Sequence, residues 1–179
     1  MGQLFSMMWN KLFALKEFKV IIVGLNNAGK TTTLYKLLLD EVVLTTPTIG
    51  SNVEEIVYKN IKFNVWDIGG QESLRATWST YYVDTSVMMM VVDSTDRERI
   101  GIVKAELAKM LSHEGLKHSL LLVLANKNDL KGAMSSAEVS DALGLNNVTT
   151  HQYHIQSCCA LTGEGLFKAM DWVVSKSVK

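Results

Sequence analysis

Proline, cysteine and unbalanced charge are all scarce in this chain, and each scarcity excludes something. Only Pro47 interrupts 179 residues, so no proline-rich linker divides them. The two cysteines, Cys158 and Cys159, are adjacent, which rules out a disulfide framework and suits a reducing cytosol. Lys plus Arg and Asp plus Glu number 18 each. No basic surface therefore advertises nucleic acid, and there is no acidic tail. No apolar run reaches the roughly 18 residues of a membrane span. There are no repeats, and His113, His118, His151 and His154 lack the spacing of a zinc helix. With 47% apolar residues, one domain with a substantial core is expected.

What is present is a phosphate signature. Gly24-Leu25-Asn26-Asn27-Ala28-Gly29-Lys30-Thr31 fits G-x-x-x-x-G-K-[ST], after the apolar run Val20–Val23 and before the helical run Thr32–Leu39. Its glycines permit backbone angles that aim consecutive N–H groups at an anion. The following helix points its positive end the same way. Gly24, Asn27, Ala28, Gly29, Lys30, Thr31 and Thr32 form the expected phosphate cradle. Lys30 supplies a point charge, and the Thr31 hydroxyl a ligand for Mg2+.

The rest of the chain alternates strands and helices. Ser51–Tyr58 and Ile61–Trp66 read as an antiparallel hairpin about Lys59-Asn60. Val87–Val92, with its three methionines, and Leu120–Leu124 are continuous apolar runs, suited to strands buried on both faces. His151–Ser157 reads as the last strand and residues 164–175 as the last helix. Thr95-x-x-Glu98 and Ser135-x-x-Glu138 suggest capping boxes for helices over 96–111 and 135–143. Asp96-Arg97-Glu98-Arg99 reads as a solvated helix start. The pattern predicts a three-layer α/β fold with right-handed crossovers, whose ligand edge gathers the loops after its parallel strands.

Three of those loops carry chemistry. In Asn126-Lys127-Asn128-Asp129, the Asp129 carboxylate matches the paired N1–H and N2–H2 donors of guanine; adenine would leave it unpaired. The Lys127 stem can lie along the base, and Asn126 can tie its loop to the phosphate loop. Cys158 and Cys159 read as small buried residues beside the base loop. Asp67 can hold Mg2+ through water, the Gly70 N–H can meet a third phosphate, and Gln71 can orient an attacking water. Thr48 can join the metal when three phosphates are present. Loops held by the third phosphate and released on its loss make a switch. One competing reading is a binding module that cycles by nucleotide exchange and scarcely hydrolyses; another is a small-molecule kinase. The kinase requires an arginine-rich lid that residues 112–150 do not supply, and it leaves Asn126–Asp129 unexplained.

The N-terminus adds a different signal. Met1-Gly2-Gln3-Leu4-Phe5-Ser6 fits the N-myristoylation pattern at Gly2. Leu4, Phe5, Met8, Trp9, Leu12, Phe13 and Leu15 recur at helical spacing, as in an amphipathic helix that lies on a membrane. An ordinary first helix packed on the core has the same pattern. The expected division is an anchoring helix over 1–17 and a nucleotide-binding domain over 18–179.

Together, Gly24–Thr31, Pro47-Thr48-Ile49-Gly50, Trp66–Gln71, Asn126-Lys127-x-Asp129 and Cys159-Ala160-Leu161 resemble the small GTPase superfamily, in its ADP-ribosylation-factor (Arf) and Arf-like branch. Ser51–Glu55 and His154–Gly165 look like the fifth Arf-like subtype. The resemblance implies a P-loop NTPase fold with a six-stranded, mostly parallel sheet, one antiparallel edge strand and five main helices. It implies a monomeric switch between GTP and GDP with Mg2+, slow to hydrolyse without an activating protein. An exchange factor, an effector such as a Golgi tethering complex, and a peripheral site on the trans-Golgi membrane and in the cytoplasm are implied too. The Ala160 N–H should contact guanine O6, and the hairpin should slide in register on GTP binding and displace the N-terminal helix onto membrane.

Trp66, Tyr81 and the Ser51 position correspond to the effector surface. Two residues depart from the family pattern. Asn26 stands where an acidic residue is usual, which implies tighter nucleotide binding or slower exchange. Ser51 stands where an aromatic is usual, which implies a smaller effector patch.

Overall fold

The computed structural model describes residues 15–40 and 48–177. Gly2, the amphipathic segment through Ala14, and Pro47 lie outside the described residues. Six strands form one sheet in the order β2-β3-β1-β4-β5-β6. They are β1 (Lys16–Val23), β2 (Ser51–Tyr58), β3 (Ile61–Ile68), β4 (Val87–Asp93), β5 (Leu120–Asn126) and β6 (Tyr153–Ser157). β2 pairs antiparallel with β3 at one edge, and the other four pairings are parallel. Strand β1 begins at Lys16, two residues before the boundary expected from sequence.

The α-helices of the described residues are α1 (Lys30–Leu39), α2 (Glu72–Arg75), α3 (Ile100–Leu111), α4 (Ser136–Leu143) and α5 (Leu166–Ser177). Successive side chains of a strand face opposite ways, so β4 divides its apolar run between two cores. Met88, Met90 and Val92 pack with Val103, Leu107 and Val139 of α3 and α4. Val87, Met89 and Val91 pack with Leu34 of α1 and Leu166, Met170 and Val173 of α5. The methionines are core, as expected. β1 lies between β3 and β4, the strands that continue the chain in opposite directions across the sheet. The crevice at its carboxyl end is therefore the switch point where such sheets bind ligands.

Helix starts were harder to read than strands. The Ser135 box forms: the Glu138 N–H donates to Ser135 Oγ at 3.2 Å, and the Ser135 N–H to Glu138 Oε2 at 2.9 Å. The Thr95 box does not. The Thr95 hydroxyl donates to Asp93 Oδ1 at 2.6 Å, and α3 starts at Ile100 rather than near 96. The box fails because Asp93 Oδ1 also takes the Thr95 N–H at 2.9 Å, the donor Glu98 would need, and Asp96 Oδ1 takes the Arg99 N–H at 3.1 Å. Hence Ser135→Ala is expected to lower stability by about 1 kcal/mol, whereas Glu98→Ala changes it by less than about 0.5 kcal/mol. Urea unfolding of the two variants checks this, and equal losses would contradict it.

Candidate functional site

The phosphate loop leaves β1 and turns directly into α1. Gly29 has φ 97°, and a Cβ there would lie 2.3 Å from Asn126 Nδ2. Glycine is thus required both by conformation and by the close approach of the base loop. Asn27 adopts φ 64°, a left-handed angle that asparagine tolerates better than most residues. Lys30 is buried and donates to the Leu25 carbonyl at 3.0 Å. Burial lowers its pKa to about 8, against the opposing pull of Asp67 and with a further lowering from Arg75.

Three oxygens converge beside it. Thr31 Oγ1 donates to Asp67 Oδ2 at 2.5 Å, and Thr48 Oγ1 to the same oxygen at 3.1 Å. The two hydroxyls are 3.0 Å apart. Asp67 is fully buried and, among the described residues, its Oδ1 has no hydrogen-bond partner. Burial raises its pKa, opposed by Thr31, Lys30 and Thr48. A buried carboxylate with an unused oxygen between two hydroxyls fits Mg2+, a hard cation that prefers oxygen donors. The structure brings Thr31, Thr48 and Asp67 together as the sequence predicted.

The loop after β3 is pinned under the phosphate loop. The Asn26 N–H donates to the Gly70 carbonyl at 3.1 Å. A Cβ at Gly70 would meet Gly24 O at 2.3 Å and Lys30 Nζ at 2.5 Å, so only glycine fits. The buried Trp78 indole donates to Gly69 O at 2.9 Å, an anchor the sequence reading missed. Gln71 is exposed at the start of α2, in a cavity of about 350 Å3 shared with Asn26, Glu72, Arg75, Arg99 and Ile102.

The base side is stitched by Asn126. Its Nδ2 donates to Ala28 O, and its Oδ1 accepts from the Ala160 N–H, each at 2.9 Å. The first bond is the expected tie between loops. The second engages the donor that was assigned to guanine O6. Lys127 ion-pairs with Asp93 at 2.6 Å. Burial would raise the pKa of Asp93, but bonds from Lys127 and Thr95 outweigh it and hold the carboxyl below its ordinary range. Asp93 thus positions the lysine whose stem was expected along the base, and nothing in the Lys127 motif announced it. Asp129 is exposed and close in sequence to that pair. Cys158 and Cys159 are buried, and burial pushes the Cys158 thiol up to about 12, leaving it unreactive.

Two expectations change. Residues 96–99 are not simply a solvated start: Arg97 bonds Glu138 at 3.1 Å, and Arg99 reaches Asn26 Oδ1 at 2.9 Å. The aromatic pair also has an exposed apolar neighbour on the hairpin, Val53. Trp66 and Tyr81 lie with ring centroids 5.7 Å apart, partly buried against the core. Val53, 45% exposed, pairs with Trp66 across the hairpin, and Ile49 is 90% exposed. Ser51 pairs with Ile68 at the start of β2. Three histidines make structural contacts: His113 accepts from the Gly115 N–H, His151 Nε2 bonds the Leu116 carbonyl at 3.0 Å, and His154 stacks on Trp172.

Lys30 makes this site sensitive to pH. Its folded pKa, about 8, lies below its ordinary value of 10.5, so between these limits the unfolded chain binds the extra proton. Stability of the nucleotide-free protein therefore rises with pH across that window; below it, the full penalty, on the order of 3 kcal/mol, is present. Lys30→Met is expected to remove that rise, to stabilise the nucleotide-free chain, and to abolish nucleotide binding. Denaturant unfolding from pH 7 to 10.5 checks this; an unchanged pH slope would contradict it.

Comparison with known proteins agrees with this geometry. The ADP-ribosylation factor family matches residues 4–177. The chain is 60% identical over 172 residues to ADP-ribosylation factor-like protein 5 of Dictyostelium discoideum, covering 96% of this chain and 94% of that protein. It is 58% identical over 176 residues to ADP-ribosylation factor-like protein 5A of Homo sapiens, covering 98% of each. A solved structure of the Arl6 BBS3 small GTPase from Trypanosoma brucei, with the bound nucleotide analogue GppNp, superposes with TM-score 0.85 at 32% identity, covering 91% of this chain and 98% of that one. The cradle, the metal oxygens and the base loop thus sit in a chain that belongs to the ADP-ribosylation factor family, a small GTPase that binds and hydrolyses GTP with Mg2+.

Proposed function

We propose that the protein is a membrane-recruited GTP/GDP switch in vesicle trafficking, slow to hydrolyse GTP until an activating protein assists. The observation that carries the switch is the convergence of Thr48, Thr31 and Asp67 beside a loop whose Gly70 is bonded to the phosphate loop. Mg2+ supplies charge neutralisation between phosphates when bound. Lys30 would hold the outer phosphates, Thr31 and Thr48 would offer hydroxyls to the metal, and Asp67 would hold it through water. Gly70 presents its N–H to the third phosphate. Asp129 selects guanine, with Asn126, Lys127, Cys159 and Ala160 shaping the base site. Ala160 acts through Asn126 or, once that bond opens, directly on guanine.

Slow hydrolysis follows from how the nearby arginines are engaged. Arg75 Nε donates to Gly70 O at 3.4 Å, and Arg99 is held by Asp96 and Asn26. Arg99 is committed to those partners and Arg75 makes only one long contact, so an arginine lent by a partner would raise the rate by about 10³ to 10⁵. The same engagement supports a second reading, a GTP-regulated binding module with negligible hydrolysis.

Recruitment rests on Gly2 and the apolar segment after it. One myristoyl chain binds membrane only marginally, about 10⁴ M⁻¹, so the amphipathic segment supplies the second anchoring interaction. Trp66, Tyr81, Ser51 and the neighbouring Val53 and Ile49 form the effector surface, for which a Golgi tethering complex is the proposed partner. The hairpin is proposed to shift register with the nucleotide and release the N-terminal segment.

Two experiments test this. Gln71→Leu is expected to bind nucleotide normally but to lose at least about a hundredfold of extract-stimulated single-turnover hydrolysis. Normal stimulation in the variant would remove Gln71 from its role, and no stimulation of the native protein would favour the binding module. Second, a C-terminally tagged protein is expected on trans-Golgi membranes and its Gly2→Ala variant throughout the cytoplasm. The same distribution for both would contradict lipid-dependent recruitment.

A further inference from the structure

Asn26 is exposed at the rim of the phosphate loop, yet it is held at two points. Its backbone N–H donates to Gly70 O at 3.1 Å, and its side-chain Oδ1 accepts from Arg99 Nη1 at 2.9 Å. A guanidinium has five donors and no acceptor. It can therefore bond only the oxygen of the amide, and the opposite orientation would set donor against donor. The amide is thereby fixed with its NH2 group turned from Arg99, and among the described residues no acceptor takes that group. Arg99 is itself rigidly held: Nε and Nη2 both lie 2.5 Å from Asp96 Oδ2, and its N–H donates to Asp96 Oδ1 at 3.1 Å. Asn26, Arg99 and Gln71 line one cavity.

We propose that Asn26 is a further donor to the third phosphate of GTP, and that Arg99 is the positioning residue that turns its amide to that task. The pair then sets how strongly the loop prefers GTP over GDP. An aspartate at this position could still pair with Arg99, but it would present only acceptors and negative charge to a phosphate. A neutral amide whose oxygen is already engaged presents a donor and no charge. Tight binding at this position accordingly depends on the number of phosphates, because only the triphosphate carries the group that Asn26 addresses. The inference rests on reading the site as a sensor of the third phosphate.

The test is a titration of nucleotide-free protein with fluorescent GDP and with a fluorescent non-hydrolysable GTP analogue, in Mg2+. Asn26→Asp is expected to weaken the GTP analogue about tenfold and GDP less than twofold, as for a lost hydrogen bond to a charged group. Arg99→Ala is expected to weaken the analogue roughly threefold, and to add nothing in an Asn26→Ala background, because it acts through that amide. Comparing the two nucleotides on one preparation cancels any loss of folded protein. Equal weakening of both nucleotides, or an unchanged ratio in Asn26→Asp, would overturn the assignment. A native protein that binds both nucleotides but does not distinguish them would overturn the sensor reading beneath it. Arg99→Ala effects that persist undiminished without the Asn26 amide would overturn the positioning role alone.

Discussion

A buried carboxylate with one oxygen unpaired is the constraint that organises this molecule. Asp67 lies fully buried at the end of β3, bonded by Thr31 and Thr48 through one oxygen and, among the described residues, by nothing through the other. Such a group is unfavourable unless a cation or proton compensates it. Lys30 does so only in part, because the same burial that raises the carboxyl lowers the ammonium. Each group is strained by burial in a way that phosphate and Mg2+ relieve. Nucleotide binding is thereby coupled to stability.

The fold delivers these groups to one place by topology rather than by local sequence. β1 and β3 are parallel neighbours, with Ile22 opposite Asp67, so the phosphate loop and the loop after Asp67 leave the same edge of the sheet. β4 and β5 pair Asp93 with Asn126, which sets Asp93 beside Lys127. The links between loops are specific and include Asn26 to Gly70, Gly69 to Gly50, Trp78 to Gly69, and Asn126 to Ala28 and Ala160. Their Cβ-intolerant glycines explain why the loops can approach so closely.

Much of this was legible in the chain. Motifs whose chemistry depends on residue type at fixed spacing, such as Gly24–Thr31 and Asn126–Asp129, announced themselves, as did the apolar strands. The hairpin followed from its two-residue turn, and the two-faced methionine strand from its unbroken apolar run. What could not be read were contacts between residues distant in sequence. Arg99 looked like one charge among four at a helix start, yet it lies against a residue 73 positions away. Thr95 carried a capping pattern, but a nearby carboxylate competes for its hydroxyl. Val53 owes its place beside Trp66 to hairpin register, and Ala160 spends its N–H on a side chain that only the folded chain brings near.

In the proposed switch, the third phosphate closes two loops onto Asp67 and the phosphate loop. Amide hydrogen exchange measures that directly, because it reports local opening free energy segment by segment. With a non-hydrolysable GTP analogue and Mg2+, the amides of 48–50 and 69–75 are predicted to exchange at least about tenfold more slowly than with GDP and Mg2+, while those of 122–126 stay unchanged. Equal protection of both loops in the two nucleotide states would contradict it.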